Sequence, residues 1–257
     1  MTTLARTINY ESELNAEQLN VVTAGGGRYL VLAGAGSGKT RVLTYRVAHL
    51  LKTGVRPEEI LLLTFTNKAA TEMMSRVRDL TGINTNRLYG GTFHSIANRF
   101  LRQHGYLIGY HSSFTIIDQS ESYQVINASI AFHGFDPKKT KFPNGKFIGG
   151  LYSYARNIDA DVIDVLAENY PNLEFRSLQI KAILEEYEKR KAKQNLMDFD
   201  DLLCNLRRLL IRQPALRAEL NNQFRHVLVD EYQDTNAVQA PFECPEQNRA
   251  TQAVGLC

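Results

Sequence analysis

No stretch of this chain is apolar for long enough to cross a bilayer. The longest apolar runs, around residues 29–33 and 60–63, fall far short of the roughly 20 residues a spanning helix needs. The N-terminal stretch is polar, acidic near residue 14, and has no apolar core of a secretion signal. Cysteine is scarce and odd in number. Cys204, Cys244 and Cys257 fit neither a disulfide framework nor the spacing of a metal site, so a reducing compartment is expected. Strong charge of one sign is also missing: 30 basic against 27 acidic residues leave +3 and a pI near 8.7. That mild basicity permits nucleic acid as a partner without demanding it. The basic residues gather at 138–141 and 189–193, runs that read as solvated helix faces. Internal repeats and low-complexity tracts are absent too. What remains is a soluble, cytoplasmic globular chain of 257 residues, 44% hydrophobic and 22% charged, enough for one large domain or two ordinary ones.

The first part alternates strand and helix. Residues 29–33 predict a short apolar strand that runs into a glycine-rich turn. Val42, Leu43, Val47, Leu50 and Leu51 repeat at helical spacing over 40–51. Gly54 and Pro57 break the chain, and 60–65 predicts a second buried strand. A helix from about Asn67 places Ala70, Met73, Val77 and Leu80 on one face. Continuous apolar strands that alternate with helices imply a parallel sheet covered on both faces, with ligands at the carboxyl ends of its strands. The middle, from about Ser95 to Pro214, is mostly helical. Asp118 with Glu121 makes a capping box, and 178–191 and 201–211 are amphipathic. The sheet resumes at 224–230, where His226, Val227, Leu228 and Val229 form a short buried strand.

Chemistry enters with the run Ala33, Gly34, Ala35, Gly36, Ser37, Gly38, Lys39, Thr40 between a strand and a helix. Glycines let successive backbone N–H groups turn inward around phosphate oxygens, and the next helix points its positive end at the same anion. Lys39 reaches the β- and γ-phosphates, and the Thr40 hydroxyl ligates Mg²⁺. The strict pattern has glycine where this chain has Ala33, a substitution that narrows the family. A second site follows the strand at 224–230. Asp230 is assigned to the Mg²⁺ ion and Glu231 to the attacking water as general base. Acid pairs after a strand are common by chance; the glycine loop in the same parallel sheet gives this one its meaning. The long separation of Lys39 from Asp230 is accounted for by an inserted helical subdomain.

Together these residues resemble the UvrD/Rep/PcrA-type superfamily 1 DNA helicases. Leu14-Asn15-Ala16-Glu17-Gln18 is similar to that family's adenine-reading motif, with Gln18 recognising the base; read alone, Asn15 is a helix N-cap. Residues 33–40 match the first ATPase motif, and Arg41 the position near the base. Thr64, Phe65, Thr66 and Asn67 match a motif that contacts single-stranded DNA, though Phe65 also suits a core. Thr92, Phe93 and His94 match another DNA-side motif, with the same core alternative for the aromatic. Residues 198–203 match a segment after the inserted subdomain, and 230–236 match the acidic ATPase motif, in which Gln233 couples ATP to DNA.

The resemblance implies a P-loop NTPase of the RecA-like α/β class: a parallel sheet with an inserted helical subdomain. It implies ATP and Mg²⁺ as cofactors, with 3′→5′ translocation on single-stranded DNA, action at single-strand/double-strand junctions, and unwinding in replication-linked repair. The expected organisation is a RecA-like domain over 1–98, the helical insert over 99–195 and the resumed domain over 196–239. The family's arginine fingers and second motor domain are expected beyond this chain, which is read as the N-terminal part. A DNA-dependent ATPase of a helicase–nuclease, or an inactive ATP- and DNA-binding fragment, stand as alternatives. The segment 240–257 has two prolines, two of the three cysteines and no periodicity. It is expected to be a disordered end or, by preference, a reading frame lost near Gln239.

Overall fold

The computed structural model describes residues 8–34, 36–230 and, for the backbone, 252–256. The first stretch contains α1 (Tyr10–Glu13), α2 (Ala16–Thr23), β1 (Arg28–Val31), α3 (Lys39–Lys52), β2 (Ile60–Thr64), α4 (Asn67–Thr81), β3 (Tyr89–Thr92) and α5 (Phe93–His104). The middle contains β4 (Thr115–Ile116), α6 (Gln119–Phe132), α7 (Pro137–Thr140), α8 (Gly145–Asn157), α9 (Val162–Asn169), α10 (Ser177–Lys193), β5 (Leu196–Met197) and α11 (Phe199–Arg212). The last stretch contains α12 (Pro214–Gln223), β6 (His226–Val229) and β7 (Gln252–Leu256). Two compact units result. The described residues 8–96, 214–230 and 252–256 form one, and 97–213 form the other.

The first unit is built on a five-stranded sheet in the order β1-β7-β6-β2-β3. Every neighbouring pair is parallel, with Leu63 opposite Val229 and Thr64 opposite Thr92. Strands β2 and β6 are buried along their whole length, as their unbroken apolar runs require. Leu43, Val47, Leu50 and Leu51 of α3 join Met73 and Val77 of α4 against Ile60, Leu62 and Leu228. In β3 the strand carries Gly90 and Gly91. A Cβ on Gly90 would strike the Met74 sulfur, and one on Gly91 the Ser95 hydroxyl, so the absent side chains let α4 and α5 approach.

The apolar strand predicted over 29–33 is shifted to Arg28–Val31 and is largely exposed, with Leu30 58% and Leu32 78% accessible. Among the described residues it lies at the sheet's edge, with a neighbouring strand on one side only. The tail, in which no element was expected, supplies β7 between β1 and β6. Strands β1 and β6 do not pair with each other, so each presents donors and acceptors that an intervening strand satisfies.

The second unit is helical. Ile126 and Ile130 of α6, Ile148 and Leu151 of α8, Val165 and Leu166 of α9, and Ile180, Ile183 and Leu184 of α10 share one core. Asp118 and Glu121 form a reciprocal capping box at α6, and Asp198 and Asp201 form another at α11. The run 189–193 is not a wholly solvated face, because Lys191 is completely buried. Its ammonium group lies 2.8 Å from Asp198, 2.6 Å from Asp201 and 2.9 Å from Glu188. Arg156 of α8 donates to Asp201 over 2.8 Å, so the network ties α8, α10 and α11 together. Burial alone would lower the Lys191 pKa, yet the three carboxylates hold it well above the ordinary range. Burial likewise opposes ionisation of Asp198, but Lys191 and Arg156 pull its pKa down to about 2.

Candidate functional site

Because all five strands of the first unit run in parallel, their carboxyl ends share one edge of the sheet. To that edge the chain brings the turn after β1, residues 64–67 after β2, residues 92–94 after β3, and Asp230 after β6. These are the segments singled out in the sequence for phosphate, nucleic acid and metal.

The turn after β1 has the geometry of an open anion cradle. Gly36 and Gly38 take φ of 78° and 87°, values that L side chains rarely adopt. Gly38 serves as N-cap of α3, and no side chain caps the helix. The first N–H groups of α3 therefore start at a backbone turn, where the helix dipole favours an anion. Ser37 N–H donates to the Gly34 carbonyl over 3.2 Å and closes the turn. Lys39 and Thr40 are the first two residues of α3 and half-buried, while Ala33 and Gly34 lead in from β1. Ala35 lies outside the described residues.

Gln18 is held against this turn. Its side-chain Nε2 donates to the Ser37 carbonyl over 3.0 Å, and its Oε1 accepts the Asn15 N–H over 3.2 Å. The N-cap reading of Asn15 is met at the same time, since its carboxamide accepts the Gln18 N–H at 2.8 Å. Arg41 donates to the Glu13 carbonyl over 2.6 Å and stands 5.4 Å from the centre of the Tyr45 ring. Tyr45 donates to the Glu13 carboxylate at 2.5 Å. Burial and that carboxylate push the Tyr45 hydroxyl pKa up, so it stays a donor. Glu13 and Tyr45 escaped the sequence reading. The available signal was the four-residue spacing of Arg41 and Tyr45 on one helical face.

Asp230 continues β6 and is 4% exposed; its N–H donates to the Leu63 carbonyl over 2.9 Å. A carboxylate fixed at a strand end and a hydroxyl at the start of α3 are hard oxygen donors of the kind Mg²⁺ takes alongside phosphate. The donor chemistry of the two side chains suits the ion, and in the sheet β7 stands between the strands that lead to them. Glu231 and Gln233 lie outside the described residues.

The residues matched in sequence to DNA-side motifs separate by exposure. Thr64 is fully buried, and its hydroxyl donates to the Thr66 carbonyl over 3.0 Å. Phe65 is 52% exposed, and Thr66 and Asn67 are also exposed. Thr66 caps α4 by accepting the Ala69 N–H. Thr92 accepts the Ser95 N–H over 3.2 Å, Phe93 is buried and His94 half-buried.

The fold and the edge it presents are those of a mixed α/β protein with a parallel sheet and a glycine turn opening onto the carboxyl ends of its strands. The chain belongs to the UvrD/REP helicase N-terminal domain family, whose pattern matches residues 14–243. It is 37% identical over 227 residues to an ATP-dependent DNA helicase PcrA of Staphylococcus epidermidis, covering 88% of this chain and 30% of that protein. It is also 37% identical over 229 residues to an ATP-dependent DNA helicase PcrA of Staphylococcus aureus, covering 89% of this chain and 30% of the relative. The chain thus spans about 30% of the length of these curated relatives. Among the described residues no helix is long and apolar enough to cross a membrane.

Proposed function

We propose that this chain is the nucleotide-binding part of an ATP-driven DNA helicase: a P-loop, RecA-like sheet over 1–98 and 196–239, with a helical subdomain inserted over 99–195. It hydrolyses ATP with Mg²⁺ and couples the reaction to 3′→5′ movement along single-stranded DNA, at single-strand/double-strand junctions, in the cytoplasm and in replication-linked repair. The observation that supports this reading is the gathering of the glycine turn, Asp230 and the 64–67 and 92–94 segments at one sheet edge.

Gln18 and Arg41 take the base side of the nucleotide. Backbone N–H groups over 33–38 cradle the phosphates, and Lys39 neutralises charge on the β- and γ-phosphates. Thr40 and Asp230 would hold Mg²⁺, which supplies further charge neutralisation on the phosphate oxygens. Glu231 accepts the proton of the attacking water, and Gln233 relays the state of the nucleotide to DNA. Phe65, exposed at the end of β2, offers a face for stacking a base. Thr66, Asn67, Thr92 and His94 face the DNA backbone, while the buried Thr64 and Phe93 shape their segments.

The test is binding of a fluorescent ATP analogue, together with hydrolysis in the presence and absence of single-stranded DNA. Lys39→Ala is expected to lose binding. Glu231→Gln is expected to keep binding and lose turnover by roughly 100-fold or more, the scale of a general base. Normal turnover by Glu231→Gln would remove Glu231 from that role.

A further inference from the structure

A cavity of about 390 Å³ opens in the helical unit, lined from the end of α8 and the second half of α11. Four guanidinium groups line it, from Arg156, Arg207, Arg208 and Arg212, against the single carboxylate of Asp159. Two of the four are fixed in place. Arg156 donates through Nη2 to Asp201 over 2.8 Å and through Nε to the Cys204 sulfur over 3.4 Å. Its Nη1 is buried without a hydrogen-bond acceptor, although an Asp198 oxygen stands 3.5 Å away. Arg207 is gripped by both oxygens of Asp159, at 2.6 and 3.0 Å.

The other two are uncompensated. Arg208 and Arg212 lie one turn apart on α11, are exposed, and make no ion pair among the described residues. Like charges one turn apart repel, and the helix dipole rewards only the one in the last turn, Arg212. A cavity lined by four guanidinium groups, two of them held in place, is matched by an anion with several oxygens in different directions. A phosphate group has that shape and charge; a lone carboxylate offers two coplanar oxygens.

We propose that this cavity is a phosphate-binding site, separate from the glycine turn and independent of the nucleotide chemistry proposed there. Arg208 and Arg212 supply the charge, Arg207 is pre-oriented by Asp159, and Arg156 forms the inner wall. The phosphate has two possible sources with the same chemistry: a free phosphate, or the phosphodiester backbone of a nucleic acid.

Cys204 lines the cavity and is partly accessible, so its alkylation reports on occupancy. The experiment follows carboxamidomethylation of Cys204 by iodoacetamide at alkaline pH, using peptide mass, which distinguishes it from the other cysteines. The chain is titrated with inorganic phosphate, or with a single-stranded oligonucleotide lacking terminal phosphates, at matched ionic strength. A saturable slowing is expected, and its half-saturating concentration should rise about tenfold or more in Arg208→Gln/Arg212→Gln, which loses two charge-assisted contacts. Slowing by phosphate alone identifies a free phosphate as the ligand, and slowing by the oligonucleotide alone identifies the diester backbone. Slowing by both establishes the phosphate group itself as what is recognised. No slowing by either, or an unchanged titration in the double variant, overturns the proposal. Arg217→Gln removes a charge from the exposed surface of α12 and should leave the titration as it is. Binding of the fluorescent ATP analogue, measured on the same samples, should not respond to Arg208→Gln/Arg212→Gln, so failure here is distinct from failure at the glycine turn.

Discussion

Replacing Lys191 by Met removes the charge at the centre of the helical unit while keeping an apolar stem. The ammonium group is fully buried and lies within 2.9 Å of three carboxylates, so its loss leaves Glu188, Asp198 and Asp201 with Arg156 as their cation and neutral donors such as the Tyr187 hydroxyl. Asp198 gives one measure of the interaction. Its pKa is drawn from 3.8 to about 2, which corresponds to about 2 kcal/mol favouring the ionised form, shared between Lys191 and Arg156. Breaking a buried ion pair by removing one partner costs about 3–5 kcal/mol, because the survivor stays buried and uncompensated. Lys191→Met is therefore expected to lose about 3–5 kcal/mol at neutral pH, read from urea unfolding followed by circular dichroism. The loss has a pH signature. Burial, with Asp201 beside it, already raises the Glu188 pKa, and Lys191 opposes that rise. Without Lys191 the pKa climbs further. A group whose folded pKa exceeds its unfolded value contributes stability present at low pH and lost as pH rises through the folded pKa. The gap between variant and parent should thus narrow from pH 8 to pH 5. A loss under about 1 kcal/mol, in the range of an exposed pair, or a gap that does not change with pH, would refute this account of the network.

Other outcomes follow from single contacts. Asp118→Ala removes the N-cap of α6 and half of its capping box, and should lower stability by about 1 kcal/mol in the same unfolding assay. Gly38→Ala forces a side chain into a φ of 87° with its Cβ about 3.1 Å from the Gln18 amide, and should cost about 1 kcal/mol or more and weaken nucleotide analogue binding. The depressed Asp198 pKa contributes stability that is present above its unfolded value near 3.8 and lost as pH falls through about 2. An acid titration of Asp198→Asn should therefore converge with the parent in that window.

Much of the first unit was legible because its elements obey short-range rules. The unbroken apolar runs at 60–64 and 226–229 are buried strands, and the periodic stretch from Val42 to Leu51 lies within α3. Asp118 with Glu121 and Asn15 with Gln18 cap helices as their residue types and spacing require. What escaped depends on partners distant in sequence. Gly90-Gly91 has poor intrinsic strand preference; β3 forms through its parallel ladder with β2, and Met74 and Ser95 occupy the space a side chain would need. Lys191 looks like one more residue in a basic run until Arg156, from another helix, and the carboxylates of α11 are placed around it. Strand β1 ends in the apolar pair Leu30-Val31, yet its position at the sheet's edge leaves Leu30 exposed, and sequence carries no record of strand order. At the candidate site the glycine turn was readable from spacing alone, whereas the grip of Glu13 on Arg41 and Tyr45 needed the fold.

Gln18 has one carboxamide and two engagements, Oε1 with the start of α2 and Nε2 with the Ser37 carbonyl. A ligand edge that captured both atoms would compete with both bonds at once. Releasing Oε1 undoes half of the reciprocal cap, and releasing Nε2 frees the carbonyl of the turn. Whatever takes up this carboxamide is thereby linked to the integrity of the first turn of α2, and through Ser37 to the shape of the glycine turn.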